Sequence, residues 1–313
     1  MKLKDLFSDS GQITRIIILV VILLGLLVVS FGGYYYWDRY VHTGEDQSPI
    51  AQSITELEQG VHADPSDLET SMMLAETYMY AGRYGEAIDL AQQVYDLKPD
   101  NQAAMFVLGV SLASTEQHGL AVEPLKSFVD ARDQGETSNM DKILETALYF
   151  LGDSYIAVDQ AEDAIPALLR ALEINRTDAD AMYKLGTAYA AAGQHEEALA
   201  SYENAIRFVP DFAEVYEGMV ESYEALNMPT KASYARGMLA YAGKDLKMAK
   251  TELETVIAAD SNFIPAYLGL GLVLEQEGDY EGAKAYAETA LELDPDNLAA
   301  MQLKGRLDAA IGN

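Results

Sequence analysis

Apolar and polar positions follow two rhythms along this chain. From Ile16 to Phe31 the sequence reads IIILVVILLGLLVVSF, with no charged residue. After residue 48 apolar positions instead fall three and four apart, in helix-length stretches broken by Gly, Asn, Asp and Pro. An all-apolar run predicts a membrane-spanning helix, and a 3.6-residue stripe predicts amphipathic helices packed on one another. The reading is all-α.

The first run is short, but Gly32, Gly33 and the cluster Tyr34, Tyr35, Tyr36 and Trp37 extend it. A span needs about 20 mostly apolar residues to cross about 30 Å of hydrocarbon, with aromatic rings at the interface. Lys2, Lys4 and Arg15 precede it and only Arg39 follows closely. The positive-inside rule then places residues 1–14 in the cytoplasm, an anchor at 15–37, and the remainder outside the cytoplasm. A cleaved signal peptide is the competing reading. It would need small residues at the cut, whereas the first alanine after the run is Ala51 and Val28-Val29-Ser30 is the best site on offer. The reading is an uncleaved signal anchor. Residues 38–47 (DRYVHTGEDQ) form a polar tether reaching about 18 Å as a coil.

The second rhythm repeats. In a unit starting at Ala179, Met182, Leu185, Gly186, Tyr189, Gly193, Ala198, Tyr202, Ala205 and Pro210 stand at positions 4, 7, 8, 11, 15, 20, 24, 27 and 32. Small residues at 8 and 20 let two helices, A and B, approach within a hairpin, and large residues at 4, 7, 11 and 24 fill the space around them. The frame recurs from Leu68, Gln102, Glu145, Thr230 and Ile264. Starts are 34, 43, 34, 51 and 34 residues apart when Ala179 is counted among them. The 43 places nine extra residues at Asp133 to Asp141 (DQGETSNMD), read as an exposed loop. The 51 is one and a half units. Ala213 to Asn227 reads as a helix A whose partner, opened by Pro229, must also begin the next unit, which predicts a break in the array near 213–230.

These positions resemble the tetratricopeptide repeat, with Met182 where the family prefers Trp. The resemblance implies a right-handed solenoid of antiparallel helix pairs. Its units are 68–101, 102–135, 145–178, 179–212, a half unit 213–229, 230–263 and 264–297. A half-repeat helix at 48–67 (Ile50, Ile54, Leu57 and Val61 on one stripe) and a capping helix at 298–313 close the ends.

The resemblance also implies a groove lined by helix A at positions such as 5, 9 and 12. Carried over, the partner-binding set is Met72, Phe106, Tyr149, Tyr183 and Tyr234; Glu76, Val110, Asp153, Thr187 and Met238; and Met79 and Ile156, with Glu217, Leu268, Glu221, Leu272 and Tyr241 at the same positions of the other units. Such an apolar and aromatic surface with interspersed acids suits a protein segment with apolar anchors and some basic character. Family members that grip a chaperone's terminal carboxylate carry Lys and Asn where Met72 and Glu76 stand, so that ligand is not expected.

Charge sharpens the picture. The chain holds 50 Asp and Glu against 21 Lys and Arg, for a net charge of −29. That disfavours nucleic acid, whose binding rests on cations that neutralise phosphate. No cysteine is present, which excludes disulfides, thiolate metal sites and a lipidated cysteine. His42, His62, His118 and His195 lack ligand spacing, and Gly269-Leu270-Gly271 sits inside a predicted helix rather than after a strand. No catalytic constellation, cofactor or metal is expected. The reading is a non-catalytic, membrane-anchored scaffold in a bacterial cell envelope that recruits or positions envelope proteins. The alternative is a structural subunit of a large membrane assembly or a self-associating array; homo-oligomers fit either.

Overall fold

A computed structural model describes residues 48–134 and 136–312. The tail, anchor and tether at 1–47 lie outside the described residues. Among those described, no helix is long and apolar enough to cross a membrane. They form fifteen α-helices and no strand. The chain falls into two compact units, Met1–Thr77 and Tyr78–Asn313, with the boundary inside the second helix.

In the first unit α1 (Pro49–Ala63) is N-capped by Ser48, whose hydroxyl accepts from the Ala51 N–H. Only Ile54 of its stripe is buried. Asp67 opens α2 (Leu68–Tyr80) by accepting from the Glu69 and Thr70 N–H groups. Such caps satisfy amide groups that have no partner within the helix.

The second unit continues with α3 (Tyr84–Leu97), α4 (Gln102–Ser114), α5 (His118–Arg132), α6 (Lys142–Ala157), α7 (Ala161–Ile174), α8 (Ala179–Ala191) and α9 (His195–Phe208). It ends with α10 (Ala213–Ala225), α11 (Pro229–Ala242), α12 (Leu246–Ala259), α13 (Ile264–Glu277), α14 (Tyr280–Leu293) and α15 (Leu298–Ile311). From α3 onward each helix packs on the next. In addition α4, α6, α8 and α10 stack as one row, and α11, α13 and α15 as another.

Packing within each hairpin follows from one substitution pattern. A Cβ built on Gly109, Gly152 or Gly186 would lie 2.4–2.5 Å from the side chain of Leu125, Leu168 or Tyr202. Each pair occupies positions 8 and 24 of its unit. Tyr202 is clasped twice, since a Cβ on Gly218 of the following helix would also meet its ring at 2.5 Å. The ring is 2% exposed and centres a core running from α8 to α13. Burial pushes its hydroxyl up to about 12.

Two kinds of turn connect the helices. Position 15 of every A-to-B turn is left-handed: Gly82, Glu116, Asp159, Gly193, Asn227, Lys244 and Gly278 all have φ between 55° and 84°. In each turn the next residue's N–H bonds back five residues, as in Arg83 to Tyr78 and Gln194 to Tyr189, both 2.8 Å. This is the hydrogen bond of a glycine-type helix stop. The B-to-A turns end instead on extended residues such as Asn175 and Asp260. Asn227 and Lys244, 17 residues apart, are two A-to-B turns in succession. Helix α11 therefore closes one hairpin with α10 and opens another with α12.

The segment after α5 departs from the expected exposed loop. Residues Glu136–Met140 form a 3-10 turn that packs on α7. Arg170 donates to both carboxylate oxygens of Asp133 (2.9 and 2.7 Å), to Ser138 Oγ (2.8 Å) and to Asn139 Oδ1 (2.8 Å). Arg132 closes the segment's far end on Asp141 at 2.6 Å. The Arg170 guanidinium holds the Asp133 carboxyl below the ordinary carboxylate range. Ser138 is buried, while Met140, next to the Asp141 clamp, is 86% exposed.

Two predictions follow from this packing. Gly186→Ala will destabilise the array by about 1–3 kcal/mol through overpacking on Tyr202, yet will be neutral or stabilising by up to about 1 kcal/mol in a Tyr202→Ala background, because alanine is the better helix former. A double-mutant cycle in denaturant measures the sign reversal. Arg170→Ala will release the insert, read as faster proteolysis between residues 134 and 141. Because Asp133 is depressed, its stabilisation is complete above the ordinary carboxylate pKa and fades as pH falls through the lower folded value. Proteolysis of the unsubstituted chain will therefore rise only as pH falls below the ordinary carboxylate range.

Candidate functional site

Helix A positions 5, 9 and 12 fall into two groups once burial is known. Met72, Met79, Phe106, Val110 and Met238 are buried in the core, at 9% exposure or less, and offer a partner almost no surface. The cause is plain for α4, which is buried on every side from Ala104 to Ala113 because it has no polar stripe to turn toward water. Phe106 stacks on Phe128 of α5 at 5.3 Å. Met238 is withdrawn because α11 stacks on α13, where its sulfur lies close beneath Gly269. In the first unit Glu76 is half-buried, and burial pushes its carboxyl up.

The other positions lie partly open on the row α6–α8 and on α11. Tyr149, Asp153 and Ile156 are half-buried on α6, Tyr183 and Thr187 on α8, and Tyr234 on α11. Asp153 does not present a free negative charge, because Lys184 of α8 holds it at 2.5 Å. Thr187 donates its hydroxyl to the Tyr183 carbonyl at 3.1 Å.

A rule unseen in the sequence governs the aromatic positions. Tyr183 packs on Phe212 at 5.2 Å and Tyr234 on Phe263 at 5.3 Å. In each case position 5 of a unit meets position 34 of the same unit. In unit 145–178 the residue at position 34 is Asp178, and the ring of Tyr149 is left without that cover. A cleft of about 290 Å³ opens there, lined by Lys142, Glu145, Thr146, Tyr149, Asp178 and Asp180. Burial first, and the neighbouring carboxylates of Asp153, Asp180 and Asp178 after it, push the Tyr149 hydroxyl up to about 12. Glu145 is tied to Lys142 at 2.8 Å and accepts from Asn175 at 2.7 Å, which leaves Asp178 and Asp180 as the outer acids. The signal was present in the alternation Phe212, Phe263, Asp178, but it has meaning only once the ring partners are known.

Asp178 gains something in exchange. Its side chain accepts from the Ala181 N–H at 3.0 Å and caps α8, whereas Phe212 and Phe263 at the same position cap nothing. Among the described residues no group of three or more His, Asp or Glu is placed to hold a metal. His118 Nδ1 lies 3.4 Å from Ser154 Oγ, with no carboxylate in the pair.

Tetratricopeptide repeat models match residues 72–136, 145–178, 167–200 and 264–297, and a further TPR repeat model matches 186–226. This chain belongs to the tetratricopeptide repeat family. Among curated proteins none matches its sequence. Of solved structures, the crystal structure of MamA protein is 27% identical over 62% of this chain and 94% of that one, with a TM-score of 0.45. YrrB, titled a TPR protein with an unusual peptide-binding site, is 16% identical over 80% of this chain and 97% of its own, with a TM-score of 0.40. The Cut9–Hcn1 structure is 14% identical over 87% and 50%, with a TM-score of 0.42. Tetratricopeptide arrays are protein-interaction scaffolds in general.

The cap and the aromatic cover are alternatives at position 34. Asp178→Ala will lower stability by about 1 kcal/mol through loss of the cap. Asp178→Phe will cost less than half of that, because a ring over Tyr149 returns about 0.5–1.5 kcal/mol. Denaturant midpoints of the two variants give the comparison, and equal losses would show that no aromatic pair forms.

Proposed function

We propose that this repeat protein is a non-catalytic scaffold, anchored in a membrane by residues 15–37, whose array lies outside the cytoplasm of a bacterial cell and recruits or positions envelope proteins. The anchor rests on the sequence, namely the uncharged run Ile16 to Phe31 with its basic leader and aromatic border. The binding role rests on the row Tyr149, Ile156, Tyr183 and Thr187, half-open on two stacked helices, with the cleft at Tyr149 beside it. Aromatic and aliphatic side chains held by a rigid scaffold lose little entropy on contact and form the anchors of protein interfaces. The net charge of −29 favours a partner with basic character.

The test is photo-cross-linking in native membranes from the full chain. A photoreactive residue at Ile156 or Thr187 will form protein adducts, whereas one at Asn204, exposed on α9, will not. The chain will stay in the membrane fraction through a carbonate wash. A chain released by the wash would refute the anchor, and adducts from Asn204 alone would move the interface off the helix A row. A changing, sub-stoichiometric set of adducts supports recruitment, and one adduct at fixed ratio marks a structural subunit.

A further inference from the structure

The half unit leaves a cleft at a place where its neighbouring units are sealed. In units 179–212 and 230–263 the side chain at position 24 is sealed twice, beneath the glycine at position 8 and by the helix A that follows. Tyr202 shows both contacts, with Gly186 and with Gly218. Within the half unit the equivalent pair is Val220 on α10 and Arg236 on α11. The following helix A does not exist, because α11 itself serves as that helix and α12 returns as its partner. Helices α10 and α12 flank α11 without stacking on each other in the way that α8 and α10 do. The vacated space is a cleft of about 390 Å³ lined by Val220, Leu239 and Met248, with Glu217, Glu221 and Arg236 about it.

Its lining and its mouth differ in character. Val220 and Leu239 are half-buried and Met248 is 46% exposed, an apolar surface left in water. The charge of Arg236 is already matched, since it donates to Glu224 at 2.7 Å and to Ser233 at 3.0 Å and lies 3.8 Å from Glu252. Glu217 and Glu221 are exposed, one turn apart on α10, and form no hydrogen bond or ion pair among the described residues. Like charges at that spacing repel, and a cation between them relieves the repulsion. The two carboxylates stand at positions 5 and 9 of their helix, the last of the row α4–α10.

We propose that this cleft is a docking site for a partner segment that inserts one apolar side chain flanked by lysine or arginine. The apolar side chain displaces water from Val220, Leu239 and Met248, and the cations pair with Glu217 and Glu221. The repulsion of those two carboxylates excludes an acidic segment of the same shape. The inference rests on the scaffold reading, but it needs neither the membrane anchor nor the surface at Tyr149 and Tyr183.

The test uses the full chain in lipid discs and end-blocked pentapeptides carrying photo-leucine at the centre. The peptide with photo-leucine between two lysines will form a saturable adduct mapped to α10, α11 or α12, competed by its leucine counterpart and weakened by salt. The peptide with two glutamates will not. Met248→Trp fills the cleft from its exposed side and will cut the adduct at least about tenfold, the loss of one buried apolar side chain. Glu217→Gln with Glu221→Gln will cut it about two- to tenfold, and Asn204→Ala, at an exposed position on α9, will leave it unchanged. Equal capture of the lysine and glutamate peptides, an adduct elsewhere, or full capture by Met248→Trp would overturn the proposal. So would protection of the cleft by a second copy of the chain, seen as an inter-chain adduct. Loss of the cleft with cross-links from Ile156 intact would sink this inference alone.

Discussion

The array stands on the approach of two helices within each hairpin, and that approach is set by what lacks a side chain. At positions 109, 152 and 186 a single methyl group would collide with the large residue sixteen positions later. Glycine inside a helix costs about 1 kcal/mol against alanine, so three such residues weaken the isolated helices. Close packing offsets that cost, because Leu125, Leu168 and Tyr202 become almost fully buried and each contributes about 1.5–3 kcal/mol. Neither helix of a hairpin is stable by this account without the other, and the energy is held in the contact rather than in the helix.

The same logic explains the break. A repeat array tolerates the loss of a helix if the remaining helix can present two packing faces. Helix α11 does so with small residues: Ala232, Ala235, Gly237 and Ala240 are all buried. Gly237 receives Leu253 of α12 as a normal position 8 would. On the side toward α10, position 24 holds Arg236, a residue too polar for a sealed core but suited to a site that remains wet. The sequence at this helix answers to both of its hairpins at once.

Much of this was legible in the residues, and the reasons for the remainder are physical. The spacing of small and large positions identifies the repeat family because both helices of a unit lie within one window of 34 residues. The 51-residue interval marks the place where the chain makes two A-to-B turns in a row, though Lys244 at the second gives no hint of its left-handed backbone, nor does Glu116 at an earlier one. At those turns hydrogen bonding and packing override residue preference. The clamp on the insert could not be read because Arg170 lies far along the chain, and a polar composition does not reveal whether its groups find a partner. Five of the twelve groove positions are buried because helical position gives the direction of a side chain, not what stands in front of it.

The acidic balance also reads differently at residue level. The cations are few, and the structure places several on particular acids: Lys184 on Asp153, Arg170 on Asp133, Arg306 on Glu275 and Lys284 on Asp308. Most of these join one helix to a neighbour and help to hold the array together. The acids left over, among them Glu217 and Glu221, carry the field that approaching molecules meet. At physiological salt such a field reaches only about 8 Å, so it acts at the mouth of a cleft and not across the array. Discrimination among partners then falls to places where an unpaired acid stands beside exposed apolar surface. The break at α11 is such a place because the missing helix leaves both features uncovered together.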